Sequence, residues 1–198
     1  SLCAGTVGFL AGYAIVRGRG KKLSDFVNNL AFFPYLMPSM AFSAIYLSMF
    51  SIQRGPIPAL YGTFAILVLA GTVKYLPFAS RSGINAMFQL SKEIEEAGVI
   101  MGIGWWKRMT RLVIPIQKSS FISGYLLPFT SCMRELSLFI LLVTPANRVL
   151  TTLLFYYNEK GWNQYSNGIN LLIVLIVILF NFFVNKVSGA SIDKGIGG

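Results

Sequence analysis

Ser91 to Pro115 reads SKEIEEAGVIMGIGWWKRMTRLVIP, a 25-residue charged stretch set between strongly apolar ones. Its residue types suit recognition rather than bond-making chemistry. Leu90, Ile94, Ala97 and Met101 recur at the spacing of one helical face. Glu93, Glu95 and Glu96 gather at the start of that helix, where acidic groups favour the helix dipole. Gly102 and Gly104 permit a sharp turn. A second short helix follows, with Trp105, Met109 and Leu112 on one side and Lys107, Arg108 and Arg111 on another, and Pro115 marks entry into the next apolar stretch. Two short helices at an angle, with an apolar ridge and charged flanks, suit either a plug for a groove in another protein or an amphipathic loop resting on lipid.

A second group, Ser131-Cys132-Met133-Arg134-Glu135-Leu136-Ser137, sets two ionisable residues between apolar runs. Ionised groups inside a membrane are costly and face a cavity or a partner. Arg134 and Glu135 are neighbours in sequence, so on a helix they point about 100 degrees apart rather than pairing directly. Together with Ser131 and Ser137 they line a path or its outer gate, or meet a partner unit. The competing reading ends the helix near Met133 and leaves them at the outer interface. The twelve uncharged residues from Leu136 to Asn147 favour the first. A third group, Arg17-Gly18-Arg19-Gly20-Lys21-Lys22, lacks the upstream Gly and the following hydroxyl of a phosphate cradle, so it reads as a basic loop. The chain has no His, the commonest general base and metal ligand. Its two cysteines, Cys3 and Cys132, fall far apart in apolar stretches as membrane-buried thiols. No catalytic group, metal site or cofactor is expected in this chain.

The elements that hold these groups are legible from composition. The 198 residues are 55% hydrophobic and 12% charged, about half the charged fraction of a soluble domain. Uncharged runs cover Ser1 to Val16, Phe26 to Gln53, Gly55 to Val73 and Gly161 to Asn185; about 20 apolar residues span a bilayer as a helix. The fold class is all-α, a polytopic membrane bundle of about five helices near 1–17, 28–50, 59–81, 119–142 and 168–186, with the charged loop at 91–115 and a disordered tail at 189–198. Gly8 and Gly12 suit close helix contact. Pro34 and Pro38 kink the second helix. Lys74 and Arg81 end the third and snorkel to the inner interface. Thr144 to Gln164 forms an outer segment whose Tyr156, Tyr157, Trp162 and Tyr165 mark the membrane surface.

The net charge of +10 points to membrane topology, not to nucleic acid. With the N-terminus outside, thirteen of the 17 Lys and Arg residues fall on the inner side and only Arg54, Arg148 and Lys160 outside, as the positive-inside rule requires. The C-terminus is then cytoplasmic. The chain begins without Met or a polar leader, as a piece of something longer would.

The charged loop resembles the EAA loop of ABC-importer permeases, the binding-protein-dependent inner-membrane components. Their pattern is Glu-Ala-Ala, three residues, Gly, nine residues, Ile, one residue, Leu-Pro. Glu96-Ala97-Gly98, Gly102, Leu112, Ile114 and Pro115 stand in register with it; Gly98 replaces Ala, and Leu112 and Ile114 are conservative swaps. The run RELSLFILLVTP also resembles a stretch of ferric-iron-type permeases, which commonly fuse two such units, so the chain fits a C-terminal half. The resemblance implies a type I ABC-importer permease core in the bacterial inner (plasma) membrane that moves solute, ferric iron included, by alternating access. It implies that Glu96 to Pro115 couple to a cytoplasmic ABC ATPase dimer, which hydrolyses the ATP. The further partners it implies are a second permease unit (a fused half or a homologous subunit), an extracytoplasmic solute-binding protein and membrane lipid. A secondary transporter or channel without an ATPase is the alternative; it predicts inverted repeats or more intramembrane charges, which do not stand out.

Overall fold

The computed structural model describes residues 1–18, 20 and 22–188; the tail expected at 189–198, with Arg19 and Lys21 of the basic loop, lies outside the described residues. The order is α1 (Leu2–Arg17), α2 (Lys22–Leu36), α3 (Ser39–Phe50), α4 (Phe64–Gln89), α5 (Lys92–Ile100), α6 (Trp105–Arg108), a π-helical turn (Met109–Val113), α7 (Ile114–Ile116), α8 (Lys118–Met133), α9 (Leu150–Glu159) and α10 (Asn163–Ser188). Among the described residues the structure is helical without strands, apart from one isolated bridge between Arg54 and Ile57.

α4 is the hub, and α1, α2, α3 and α8 all pack on it. Glycine makes the tightest of these contacts possible. A Cβ at Gly8 would stand 2.3 Å from the Ala79 Cβ, and one at Gly12 would stand 2.6 Å from the Gly83 carbonyl carbon. The α1 and α4 backbones therefore touch, as small residues allow in membranes. Two apolar clusters flank this crossing. Phe42, Ile66, Leu138 and Leu142 pack beside the N-terminal half of α4. Phe9, Val16, Met87, Leu90, Met109 and Val113 pack at its C-terminal end.

α4 and α10 are each long and apolar enough to cross a membrane, and α2 with α3 forms a third crossing if the bent pair counts as one. α1 and α8 are 16 residues each. α10 packs on α8 and α9, while Leu171, Val174, Ile178, Phe182 and Phe183 stay exposed, as a lipid-facing surface does.

Three boundaries differ from expectation. The second helix is broken, not kinked: α2 and α3 meet at 106° around Met37 and Pro38. Pro38 can neither donate to α2 nor let Met37 stay helical. α4 continues to Gln89, so Lys74 and Arg81 lie within it and do not mark its end. Lys74 does not snorkel; its Nζ donates to the Pro34 carbonyl at 3.1 Å and to the Met37 carbonyl, capping the end of α2. Arg81 lies over the Phe32 ring. The fourth predicted helix stops at Met133, and Leu136 to Leu142 fold back as turns that bury Leu138 and Leu142 completely. Cys3 and Cys132 are free and, though far apart in sequence, line one apolar cavity of about 650 Å³ beside Gly71 and Tyr75.

Candidate functional site

The charged stretch folds as two helices joined by a closed turn. Ser91 caps α5, its Oγ accepting the Glu93 N–H at 3.3 Å, which satisfies one of the free N–H groups of the first turn. α5 ends in a paired-hydrogen-bond cap: the Gly102 N–H donates to the Val99 carbonyl and the Ile103 N–H to the Gly98 carbonyl, both at 2.9 Å. This geometry needs a left-handed residue just past the helix, and Gly102 supplies it with φ +71°. The Gly of the loop pattern is thus a backbone requirement.

The expected ridge is divided. Leu90 is buried in the core, whereas Ile94, Ala97 and Met101 are turned outward. With Ile100 86% and Met101 69% exposed, the tip of α5 presents apolar side chains that this chain leaves uncovered. The inward face of α5 carries Glu95 and Gly98. A Cβ at Gly98 would lie 2.8 Å from the Arg108 Cδ and 3.6 Å from Leu112, so the departure from Ala there coincides with the close approach of the second helix. Arg108, expected on the charged side, folds inward and donates to the Ile103 carbonyl at 2.6 Å. Lys107 and Arg111 remain exposed, Met109 is buried, and Leu112 and Ile114 are half-buried.

Pro115 is exposed and shapes the chain ahead of it. It has no N–H to give and its ring crowds the carbonyl four residues back, and the turn before it is widened to π-helical form. Regular bonding resumes when the Gln117 N–H reaches the Val113 carbonyl at 3.0 Å. The loop therefore runs into α8 through one bent helical path.

Glu95 has a place that sequence patterning missed. Patterning groups it with Glu93 and Glu96 as a dipole-favouring acid, but of the three only Glu95 turns inward, where it meets Arg17 and Tyr13 of α1. The available signal was its position two residues before Ala97, roughly opposite the exposed ridge: an acid on an inward face needs a partner.

The second candidate group keeps three of its four residues together on folding. Glu135 accepts the Tyr75 hydroxyl at 2.8 Å through Oε2 and the Leu138 N–H at 3.0 Å through Oε1. Its own carbonyl accepts the Thr151 hydroxyl at 2.7 Å. Arg134 is exposed, its Nε reaching only the Thr130 carbonyl at 3.4 Å. Ser131, Arg134 and Glu135 join Lys74, Tyr35 and Ser39 in lining a cleft of about 600 Å³ at the α2–α3 break. Ser137 is exposed and does not line that cleft. The helix ends at Met133, as the interface reading had it, yet Glu135 is held by protein groups. Nothing in the local sequence around Lys74 shows that α4 passes the break and brings it into this lining. Among the described residues there is no cluster of His, Cys, Asp or Glu able to hold a metal ion.

Comparison with known proteins accords with this arrangement. The family model described as "Binding-protein-dependent transport system inner membrane component" matches residues 4–191. The ferric transport system permease protein FbpB of Actinobacillus pleuropneumoniae is 28% identical over 192 residues, covering 94% of this chain and 27% of that protein. Phosphate transport system permease protein PstA 1 of Mycobacterium tuberculosis is 26% identical over 127 residues, covering 64% of this chain and 39% of that protein. The chain thus spans about a quarter of the length of the ferric relative. A chain of the MetNI methionine ABC transporter in inward-facing form superposes with a TM-score of 0.76 at 16% identity, covering 94% of this chain and 87% of the other, a likeness of fold.

Proposed function

The chain belongs to the binding-protein-dependent transport system inner membrane component family, and from that premise we propose that it is the permease unit of an ATP-driven importer. It passes solute inward by alternating access, with its N-terminus outside and its C-terminus in the cytoplasm of a bacterium. Energy comes from a separate ABC ATPase dimer. A second permease unit, fused or homologous, and an extracytoplasmic solute-binding protein complete the assembly.

The observation that carries this reading is the tip of α5. Apolar Ile94, Ile100 and Met101 are presented beside Glu96 and Ala97, on a turn fixed by the +71° φ of Gly102. An exposed apolar ridge with polar flanks marks a partner surface, and a helix laid into a groove is a recurring mode of docking. Glu96, Ala97 and Gly102 form the contact. Gly98, Leu112, Ile114 and Pro115 build the angle at which it is held. Closure of the ATPase dimer then drags α5 and, through the bent path past Pro115, α8. By reciprocity a loaded binding protein outside favours the closed ATPase pair inside.

The cleft at the α2–α3 break, lined by Ser131, Arg134 and Glu135, is the proposed stretch of the solute path. Broken membrane helices commonly border such sites. Ferric iron is the proposed cargo, supported by the stretch from Arg134 to Pro145 and by the names of the ferric relatives; phosphate, named in another relative, is the competing cargo.

Glu96→Lys introduces a cation at the centre of the contact. It should abolish co-purification of the ATPase while membrane insertion stays intact. A Glu96→Lys permease that still co-purified with a fully coupled ATPase would overturn the assignment. Cells carrying the intact system should accumulate labelled ferric iron in an ATP-dependent way; accumulation of phosphate in its place would reassign the cargo.

A further inference from the structure

α5 is tied to the bundle by a polar latch of side chains from both ends of the chain's first hundred residues. Glu95 sits on the inward face of α5 and is 8% exposed. Its Oε1 accepts the Arg17 Nε at 2.7 Å and is also bonded by the second guanidinium nitrogen, Nη2. Its Oε2 accepts the Tyr13 hydroxyl at 2.9 Å. Both carboxylate oxygens are thus held by α1, one turn apart on the same helix. The latch also reaches neighbouring elements. Arg17 Nη2 lies 3.5 Å from the Leu90 carbonyl at the end of α4, and the Tyr13 ring meets Trp105 of α6 edge to face at 6.1 Å between centroids.

Among the described residues Arg17–Glu95 is the one ion pair within 4.0 Å, and it lies where α5 leaves the bundle. The rest of α5 offers little grip. Apart from Glu95, only Gly98 on this helix is buried, and Gly98 has no side chain. α1 in turn is welded to α4 through the Gly8 and Gly12 contacts, where no Cβ would fit. A carboxylate held at both oxygens by charged and phenolic donors resists rotation far better than a lone apolar contact, since charge-assisted bonds are short and directional.

We propose that Arg17, with Tyr13, is the positioning residue through which α5 moves α1, so that the force of ATPase docking enters the bundle at the α1–α4 pair as well as through Pro115 and α8. This rests on the coupling role given to α5 above. Arg17 and Tyr13 touch neither solute nor nucleotide; they act through Glu95. Breaking the latch leaves the exposed tip and the Gly102 turn in place, so the ATPase still binds and still hydrolyses ATP, but its hydrolysis no longer answers to events outside.

The test uses the complete transporter in lipid nanodiscs, with ATP as the probe, comparing hydrolysis with and without the loaded solute-binding protein. Arg17→Gln and Tyr13→Phe should co-purify with the ATPase at wild-type stoichiometry and keep basal hydrolysis. Stimulation by the binding protein should fall about fivefold or more for Arg17→Gln, the lower end of ordinary allosteric coupling, and less for Tyr13→Phe. The exchange Arg17→Glu with Glu95→Arg should recover much of the stimulation, which a role confined to folding would not give. Unchanged stimulation in Arg17→Gln overturns the latch. So does loss of ATPase binding in that variant, because Arg17 would then merely build the docking surface, and so does an exchange variant no better than either single change. If the wild-type chain itself binds no ATPase, the coupling role of α5 is what fails.

Discussion

Gly102 offers a quantitative test of how the loop is built. Its φ is +71°, and a Cβ added there would find nothing within 4 Å. Any cost of substitution therefore comes from the backbone and not from crowding within this chain. Holding an L-residue in the left-handed region costs about 1–2 kcal/mol, a factor of about 5–30 in population. Asn tolerates that region better than other side chains, whereas a β-branched residue tolerates it worst. If α5 must end in this turn before the ATPase can dock, the apparent affinity falls with the fraction of competent loop. Titrating purified ATPase onto permease in nanodiscs should then rank Gly102 above Asn, Asn above Ala and Ala above Val, with Ala weakened by up to about 5–30-fold. The reasoning fails if Asn binds as poorly as Val. That order would mean the partner approaches the Gly102 Cα closely and excludes any side chain, so that contact rather than conformation selects glycine.

Two further outcomes follow from the cleft. Lys74→Met removes the cap from the Pro34 and Met37 carbonyls and should lower stability by about 1–3 kcal/mol, as for a buried acceptor left unpaired; an unchanged melting temperature of the purified complex would show that water replaces the ammonium. Alanine at Arg134 and at Glu135 should behave differently. Glu135→Ala frees the Tyr75 hydroxyl and the Leu138 N–H and should destabilise by about 1–3 kcal/mol. Arg134→Ala should stay within about 0.5 kcal/mol of wild type while reducing uptake of labelled ferric iron, and equal melting shifts for the two variants would contradict this division.

Local rules made much of the loop legible. Gly102 as a turn and Pro115 as the entry to the next helix each follow from one residue's own geometry, and each appears where expected; the Ser91 cap emerges only in the structure. The apolar face was less legible, because periodicity groups residues by angle without saying which neighbour they meet. Leu90 and Met101 share a spacing, yet one is 3% exposed and the other 69%: the first lies at the end of α4 inside the core, the second beyond the last turn of α5. The fourth helix ends sooner than its composition predicts for a related reason. Leu136 to Val143 are apolar enough to continue it, but Glu135 captures the Leu138 N–H, and a side chain that supplies the backbone with an alternative acceptor ends the helix.

By itself the sequence determined that this is an apolar helical bundle with one charged, turn-closed loop, because transfer from water, the left-handed freedom of glycine and the missing N–H of proline belong to residue types. Only the tertiary structure decided what the ionised groups do. Lys74 meets carbonyls 37 and 40 residues away, Glu135 meets a tyrosine 60 residues away, and Arg17 meets Glu95 across 78 residues. Such pairs depend on which helices cross and at what distance. The close passage of α1 over α4 sets that distance, and it brings Arg17 within reach of α5.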